Sequence, residues 1–285
     1  MNWEAVRQEA QQYIQPLQKL FPRYAEELQG LADGAGFELV DIVALNVRTE
    51  ITFGLYTRVP SAPIQTDGCT SAAYRQPNGE VLLAQNWDWQ PEQAPNLFIC
   101  HISQPGTDIP DISMVTEGGV IGKIGINSSG VGTCLNAIRA RGVDNTKIPI
   151  HLALRTALES HSAREAAEKL YEVGTAGSGH ILVSDPSEAI DEPGWIPDST
   201  DRIKRIAQLL DERLVTSTID HSSFFDFFKD EQGYPTAINR DQFSPGNGKA
   251  TLFTINMDLA KRKAIVTMGR PTNWTERIEL SPGLA

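Results

Sequence analysis

The order of hydrophobic patterns predicts an α+β fold in which two β-sheets lie between helical layers. Three observations carry this. Residues 2–48 are periodic at helical spacing, 69–136 read as a run of strands, and 148–173 return to helix before further strands.

In the first region Trp3, Val6, Ala10, Tyr13, Ile14, Leu17 and Leu20 recur every three or four residues and form one apolar stripe. Pro22 interrupts it, and Tyr24, Leu28 and Leu31 resume it until Gly34 and Gly36. Asp41 is expected to cap a third, short helix through Ile42, Val43, Leu45 and Asn46. Residues 57–67 hold Pro60 and Pro63 and read as an exposed linker. Next, strands at 69–74 and 81–88 are joined by the turn Pro77-Asn78-Gly79, which makes a hairpin. Further strands are expected at 97–102, 112–115, 120–126 and 130–136. After the helices of 148–173 come a strand at 180–184, a Pro/Gly/Asp loop beyond Ile190 and a helix from Ser199. A core cluster of Phe224, Phe225, Phe227 and Phe228 precedes a last hairpin of 251–256 and 264–268.

The 285 residues carry a formal net charge of −11 with no basic block, which argues against nucleic-acid and anionic-membrane partners. At 40% apolar and 21% charged residues the composition is that of a soluble globular protein, with no apolar run of membrane-spanning length. Three widely spaced cysteines, Cys69, Cys100 and Cys134, make no disulfide framework. The start lacks a secretory signal, and the end does not match the S-K-L peroxisomal address. The expected location is therefore intracellular, cytoplasmic or peroxisomal.

The chemistry centres on Asp67-Gly68-Cys69-Thr70 and Gln85-Asn86-Trp87-Asp88. The hairpin brings a thiol at the head of one strand towards a carboxylate at the far end of its partner. Gly68 gives the backbone before Cys69 conformations open to few other residues, which suits attack of the thiol on the Gly68 carbonyl. An N-to-S acyl shift and hydrolysis would then free the α-amine of Cys69 as a general base, the logic of N-terminal-nucleophile hydrolases. The plain alternative is a buried core cysteine. Asp88 is either a strand-end carboxylate or the group that orients the new ammonium. Asn136 is either a core amide or an oxyanion donor. Other signals fail. The segment 118–124 has neither the spacing nor the Ser/Thr of a phosphate loop, Gly130-Val131-Gly132 leads into a strand, and the five histidines show no metal spacing, so no metal and no cofactor is expected.

These residues also carry a family resemblance. Asp67-Gly68-Cys69-Thr70, Asn78-Gly79, Gln85-Asn86-Trp87-Asp88, 116–123 and 127–131 together resemble isopenicillin-N acyltransferase, the acyl-coenzyme A:6-aminopenicillanic-acid acyltransferase family. So do Leu45-Asn46-Val47-Arg48-Thr49-Glu50, Ala250-Thr251-Leu252-Phe253 and 269–273, in an ordered set running from about Phe21 to about Asn273. The resemblance implies a four-layer αββα sandwich of the N-terminal-nucleophile hydrolase type. It also implies self-cleavage at Gly68-Cys69 into a helical α-chain, 1–68, and a β-chain, 69–285, that stay together as a heterodimer. Cys69, Asp88 and Asn136 are then the catalytic set, with Arg48, Glu50 and Lys249 in support. The partners would be an acyl donor, either an acyl-coenzyme A or an amide, and an amine acceptor, with a penicillin-type substrate as the family's precedent.

Three departures stand out. The family's opening strand and Gly/His motif are absent, and the stretch around 190–197 is shortened, without the family's Thr-Asn-His segment. Lys249 stands where the family has an arginine, keeping the charge but not the bidentate geometry. They favour an alternative in which the chain is an inactive or truncated relative that binds acylated small molecules. A plain hydrolase with water as acceptor is a third reading.

Overall fold

The computed structural model describes residues 1–54, 69–138, 140, 142–191, 199–233, 237–241 and 248–283. The expected linker at 57–67, Gly68 and the shortened stretch at 192–197 lie outside the described residues.

The opening region forms three helices, α1 (Trp3–Leu20), α2 (Pro22–Ala35) and α3 (Leu39–Asn46). Asn2 caps α1 by accepting from Ala5 N at 2.9 Å. Pro22 starts α2, where its missing N–H leaves nothing unpaired, and Gly36 ends it at φ 72°. The apolar stripe holds in its middle, with Ala10, Tyr13 and Leu17 buried, but its ends, Trp3 and Leu20, are exposed. Likewise Tyr24, Leu28 and Ala32 bury α2, and Leu31 faces outward. One expectation is corrected. Glu38, not Asp41, is the cap of α3, and Asp41 sits at the third position and reaches back to accept from Glu38 N.

The strands make two antiparallel sheets. The first contains β1 (Thr70–Arg75), β2 (Val81–Trp89), β9 (Ala250–Asp258), β10 (Lys263–Arg270) and β11 (Asn273–Leu280), in the order β1-β2-β9-β10-β11. The second runs in chain order through β3 (Leu97–Ile102), β4 (Ile112–Glu117), β5 (Ile124–Asn127), β6 (Gly132–Ala137), β7 (Gly179–Ser184) and β8 (Ala189–Asp191). The strand expected at 120–126 is shorter. A turn at Gly118-Gly119 follows β4, and only Ile124–Asn127 pairs. Strands β8 and β11 were not expected.

Side-chain alternation along β2 fixes the layers. Val81, Leu83 and Trp87 join the core between the sheets, where Gln85 Nε2 donates to Leu135 O of β6 at 2.6 Å. Leu82 and Ala84 face the other way, onto α6 (Ser199–Thr216) and α7 (His221–Phe227), with Ile206, Ile219, Phe224 and Phe228. On that face Asn86 Nδ2 donates to Phe228 O and Ile238 O at 2.8 and 2.9 Å, tying β2 to the segment after α7. The second sheet is covered by α4 (Ile150–Leu158), packed on β5, β6 and β7, and by α5 (Ala163–Val173), packed on β7 and β8. The helices α1–α3 pack on one another, and α3 touches α4. The result is the four-layer αββα sandwich.

Candidate active site

Cys69 opens β1 at the edge of the first sheet and is buried. The register that pairs Thr70 with Asn86 lays it beside the far end of β2. There the Asp88 N–H donates to Cys69 Sγ at 3.4 Å, and the thiol donates to Asp88 O at 3.6 Å. The turn Pro77-Asn78-Gly79 permits this closure because Gly79 takes φ 90°.

Behind the thiol the Asp88 carboxylate is fully buried. Its Oδ1 accepts from Thr251 Oγ1 at 2.6 Å, and its Oδ2 lies 3.4 Å from Arg240 Nε, itself fully buried. The register slips at this point, so that Asp88 faces Thr251 directly after Trp87 faces Phe253. That irregularity brings the Thr251 hydroxyl under the carboxylate. Arg240 N donates to the same hydroxyl oxygen at 3.0 Å, which holds the 237–241 segment against β9. Thus the guanidinium against Asp88 comes from Arg240, while Lys249 Nζ stands 5.0 Å from the centroid of Trp89.

Asn136, near the end of β6, donates from Nδ2 to the Cys69 carbonyl at 2.9 Å and accepts at Oδ1 from Ser71 Oγ at 2.7 Å. Arg202 of α6 donates to the same Cys69 carbonyl at 3.2 Å. Gln85 holds the strand beneath, donating to Leu135 O and accepting from Leu135 N at 2.9 Å. The three expected catalytic residues therefore converge, and the Asn136 amide acts on the backbone of Cys69 itself.

A second cluster adjoins the first. Arg48 grips Glu117 with both terminal nitrogens at 2.5 Å, and Lys123 Nζ donates to the same carboxylate at 2.6 Å. Burial raises the Glu117 pKa, but Lys123 and Arg48 outweigh it and hold the carboxyl well below its usual range. Burial, with the Arg48 charge, brings Lys123 down to about 8, and Cys69 is among the groups acting on it in the opposite sense. Lys123 Nζ sits 4.0 Å from the centroid of Trp87, which stacks on Trp89 and Phe253. Arg48, Lys123 and Lys249 thus surround the indoles of Trp87 and Trp89, with Glu117 as counter-charge to Arg48 and Lys123.

Glu50 lies in a different place. Its Oε1 accepts from Ile150 N at 2.7 Å, at the start of α4, and burial pushes its pKa up to about 7. Of the other expected site residues, Gly68 lies outside the described residues. Sequence reasoning missed Arg240, Arg202 and the role of the 118–123 turn. That turn delivers Lys123 back to Glu117.

The family described as acyl-coenzyme A:6-aminopenicillanic acid acyl-transferase matches residues 74–190. The acyl-coenzyme A:6-aminopenicillanic-acid-acyltransferase 40 kDa form of Emericella nidulans is 36% identical over an alignment of 296 residues, which covers 91% of this chain and 78% of that protein. Among solved structures, a conjugated bile acid hydrolase mutant from Clostridium perfringens superposes with a TM-score of 0.52 at 13% identity, over 75% of this chain and 92% of that one. The N-acylethanolamine-hydrolyzing acid amidase ortholog of Caenorhabditis elegans does so with a TM-score of 0.50 at 16% identity, over 67% and 92%. These two speak for the N-terminal-nucleophile hydrolase fold. Identity at 36% across nine-tenths of the chain speaks for more: the chain belongs to the acyl-coenzyme A:6-aminopenicillanic acid acyl-transferase family.

Proposed function

We propose that this chain is an autoprocessing cysteine acyltransferase or amide hydrolase, with Cys69 as nucleophile. The observation that carries the reading is the thiol of Cys69 held between the N–H and the carbonyl of Asp88, directly in front of the buried Asp88–Thr251–Arg240 network.

In the first stage the Cys69 thiol attacks the Gly68 carbonyl. Collapse breaks the Gly68–Cys69 C–N bond and leaves a thioester on sulfur. Water hydrolyses it, releasing the Gly68 carboxylate and regenerating the thiol, now beside its own free α-amine. The products are residues 1–68 and 69–285, which remain together as a heterodimer. In the second stage the amine, with an ordinary pKa of about 7.7–8.0, takes the thiol proton. The thiolate then attacks the carbonyl of an amide or acyl-coenzyme A thioester, and the leaving amine or thiol carries the proton away. An incoming amine or water takes the acyl group from sulfur and completes the turnover.

In this mechanism Asp88 faces the new ammonium, with Thr251 and Arg240 holding the carboxylate in place. Asn136 and Arg202 fix the Cys69 backbone so that the sulfur stays aimed. Lys249, beside Trp89, suits a substrate bearing a carboxylate, as a penicillin-type acceptor does, and coenzyme A would enter as substrate.

The test is the intact mass of the purified chain under denaturing conditions, alongside Cys69→Ala. Two fragments matching 1–68 and 69–285 in the wild type, and one uncut chain in the variant, are expected. Uncut wild-type chain that also forms no adduct at Cys69 with a thiol-reactive acyl probe overturns the reading in favour of a non-catalytic binder.

A further inference from the structure

A second cavity lies away from Cys69, between α1, the helical turn Glu50–Gly54 and the 142–147 segment. It encloses about 450 Å³ and is lined by Glu9, Gln12, Tyr13, Glu50, Ile51, Val143, Asp144 and Asn145. Three of these eight are carboxylates, and none is a lysine, arginine or histidine.

The carboxylates are not equivalent. Asp144 is exposed at the mouth, where Thr146 N and Oγ1 donate to its Oδ1 and keep it ionised. Glu9 stands on α1, accepting from Gln12 at 3.0 Å. Glu50 is only 1% exposed and forms the floor. Its Oε1 is spent on Ile150 N, but its Oε2 has no hydrogen-bond partner among the described residues. A buried carboxylate oxygen left without a donor costs the fold and calls for explanation. Among the described residues, the groups facing it supply no positive charge. Tyr13 and Glu9 come from α1, Asp144 from the 142–147 segment, and the backbone of Gly177 closes the side. Burial first, and then the charges of Glu50, Glu9 and Asp144, push the Tyr13 phenol up. Lys147 acts on Asp144 but runs beside Gly174.

We infer that this cavity binds an organic cation, with one primary ammonium group donating to Glu50 Oε2 and a second reaching Glu9 and Asp144 at the mouth, as in an alkyl diamine or polyamine. The chemistry selects this class over a metal ion. No group of three His, Cys, Asp or Glu side chains among the described residues converges as metal ligands, and the carboxylates are spread through a space far larger than one ion. Ile51 and Val143 offer apolar contact to the methylene chain between the charges. Because burial favours the protonated form of Glu50, the cation must displace a proton when it binds below about pH 7. Affinity therefore rises up to tenfold per pH unit towards pH 7 and levels off above it.

The test is calorimetric titration of the full chain with 1,4-diaminobutane and with spermidine, at pH 6 and pH 8 in 150 mM NaCl, for wild type, Glu50→Gln and Glu9→Gln. The expected result is saturable one-to-one binding that tightens about tenfold from pH 6 to pH 8 with proton release at the lower pH. Glu50→Gln should weaken it at least tenfold at pH 8 and remove the pH dependence. Glu9→Gln, at the partly exposed rim, should weaken spermidine by a few-fold and keep the pH dependence. Equal binding by wild type and Glu50→Gln, no binding, or displacement by equimolar MgCl₂ would each overturn the inference. Should Glu50→Gln not fold, loss of the wild-type pH dependence in the Glu9→Gln titration would do the same.

Discussion

Replacing Arg240 with methionine isolates the group that sequence reasoning did not find. The variant keeps most of the side-chain volume and removes the charge facing Asp88. At 3.4 Å the Nε–Oδ2 contact is longer than a good N–H···O bond, so its worth lies in charge attraction. An effective dielectric of 20 gives a gross attraction of about 5 kcal/mol at that distance. Both partners are fully buried, so neither regains water when the other is lost. The expected cost of Arg240→Met is therefore about 3–5 kcal/mol, and Asp88→Asn should cost a comparable amount by removing the carboxylate that faces the guanidinium. The double variant should cost less than the sum, because the attraction between the two is then lost only once. Urea unfolding of all four proteins in a Cys69→Ala background, which keeps the chain in one piece, measures this cycle. A coupling energy below about 0.5 kcal/mol would mean independent residues and would remove Arg240 from the Asp88 network. On the proposed mechanism, Arg240→Met should also slow self-cleavage in the otherwise wild-type chain, since Asp88 loses a group that orders it.

Two further expectations follow from other parts of the molecule. Burial holds Glu50 at about 7 against an ordinary carboxyl value of 4.5, so between those pH values the folded chain binds more protons than the unfolded one. Its contribution is greatest below about pH 4.5 and is lost as pH rises to 7, by about 3 kcal/mol at 1.36 kcal/mol per pKa unit. Glu50→Gln should flatten that part of the stability curve, measured as unfolding midpoints from pH 4.5 to 8 without amines, and a wild-type curve of unchanged shape would contradict it. Gly122 lies so close to α4 that an added Cβ would sit 2.0 Å from His151 O and 2.7 Å from Arg155 N. Both are backbone atoms, so Gly122→Ala should destabilise by about 3 kcal/mol or more, and a thermal midpoint within 2 °C of wild type, well inside the shift of about 2–4 °C per kcal/mol expected at this size, would refute the close packing.

How much of the fold was legible depended on whether burial left a period in the sequence. The β1–β2 hairpin was readable because its turn needs a residue such as Gly79 at positive φ and β2 opens on the apolar run Val81-Leu82-Leu83-Ala84. The edge strand β11 was not, because Asn273, Trp274, Thr275, Glu276, Arg277 and Glu279 are exposed and the strand has almost no apolar face to announce it. The opposite failure occurred at 120–126. Val120 and Ile121 are buried like strand residues, yet they lie in the turn that carries the chain from β4 to β5. A continuous apolar run reports burial, and burial does not imply pairing.

The site divides along the same line. Cys69 and Asp88 were found together because the hairpin that joins them is local, with a sequence separation of only nineteen, and its register can be counted. Arg240 sits 152 residues from Asp88, in a segment with no periodic signal, and only the packing of 237–241 along β9 brings it there. The family pattern pointed to position 249 for the cation, and the structure supplies one at position 240 as well. Lys123 makes the complementary case. Its sequence context reads as a failed phosphate loop, and its function as a partner of Glu117 follows from the six-residue turn that returns it to the end of β4.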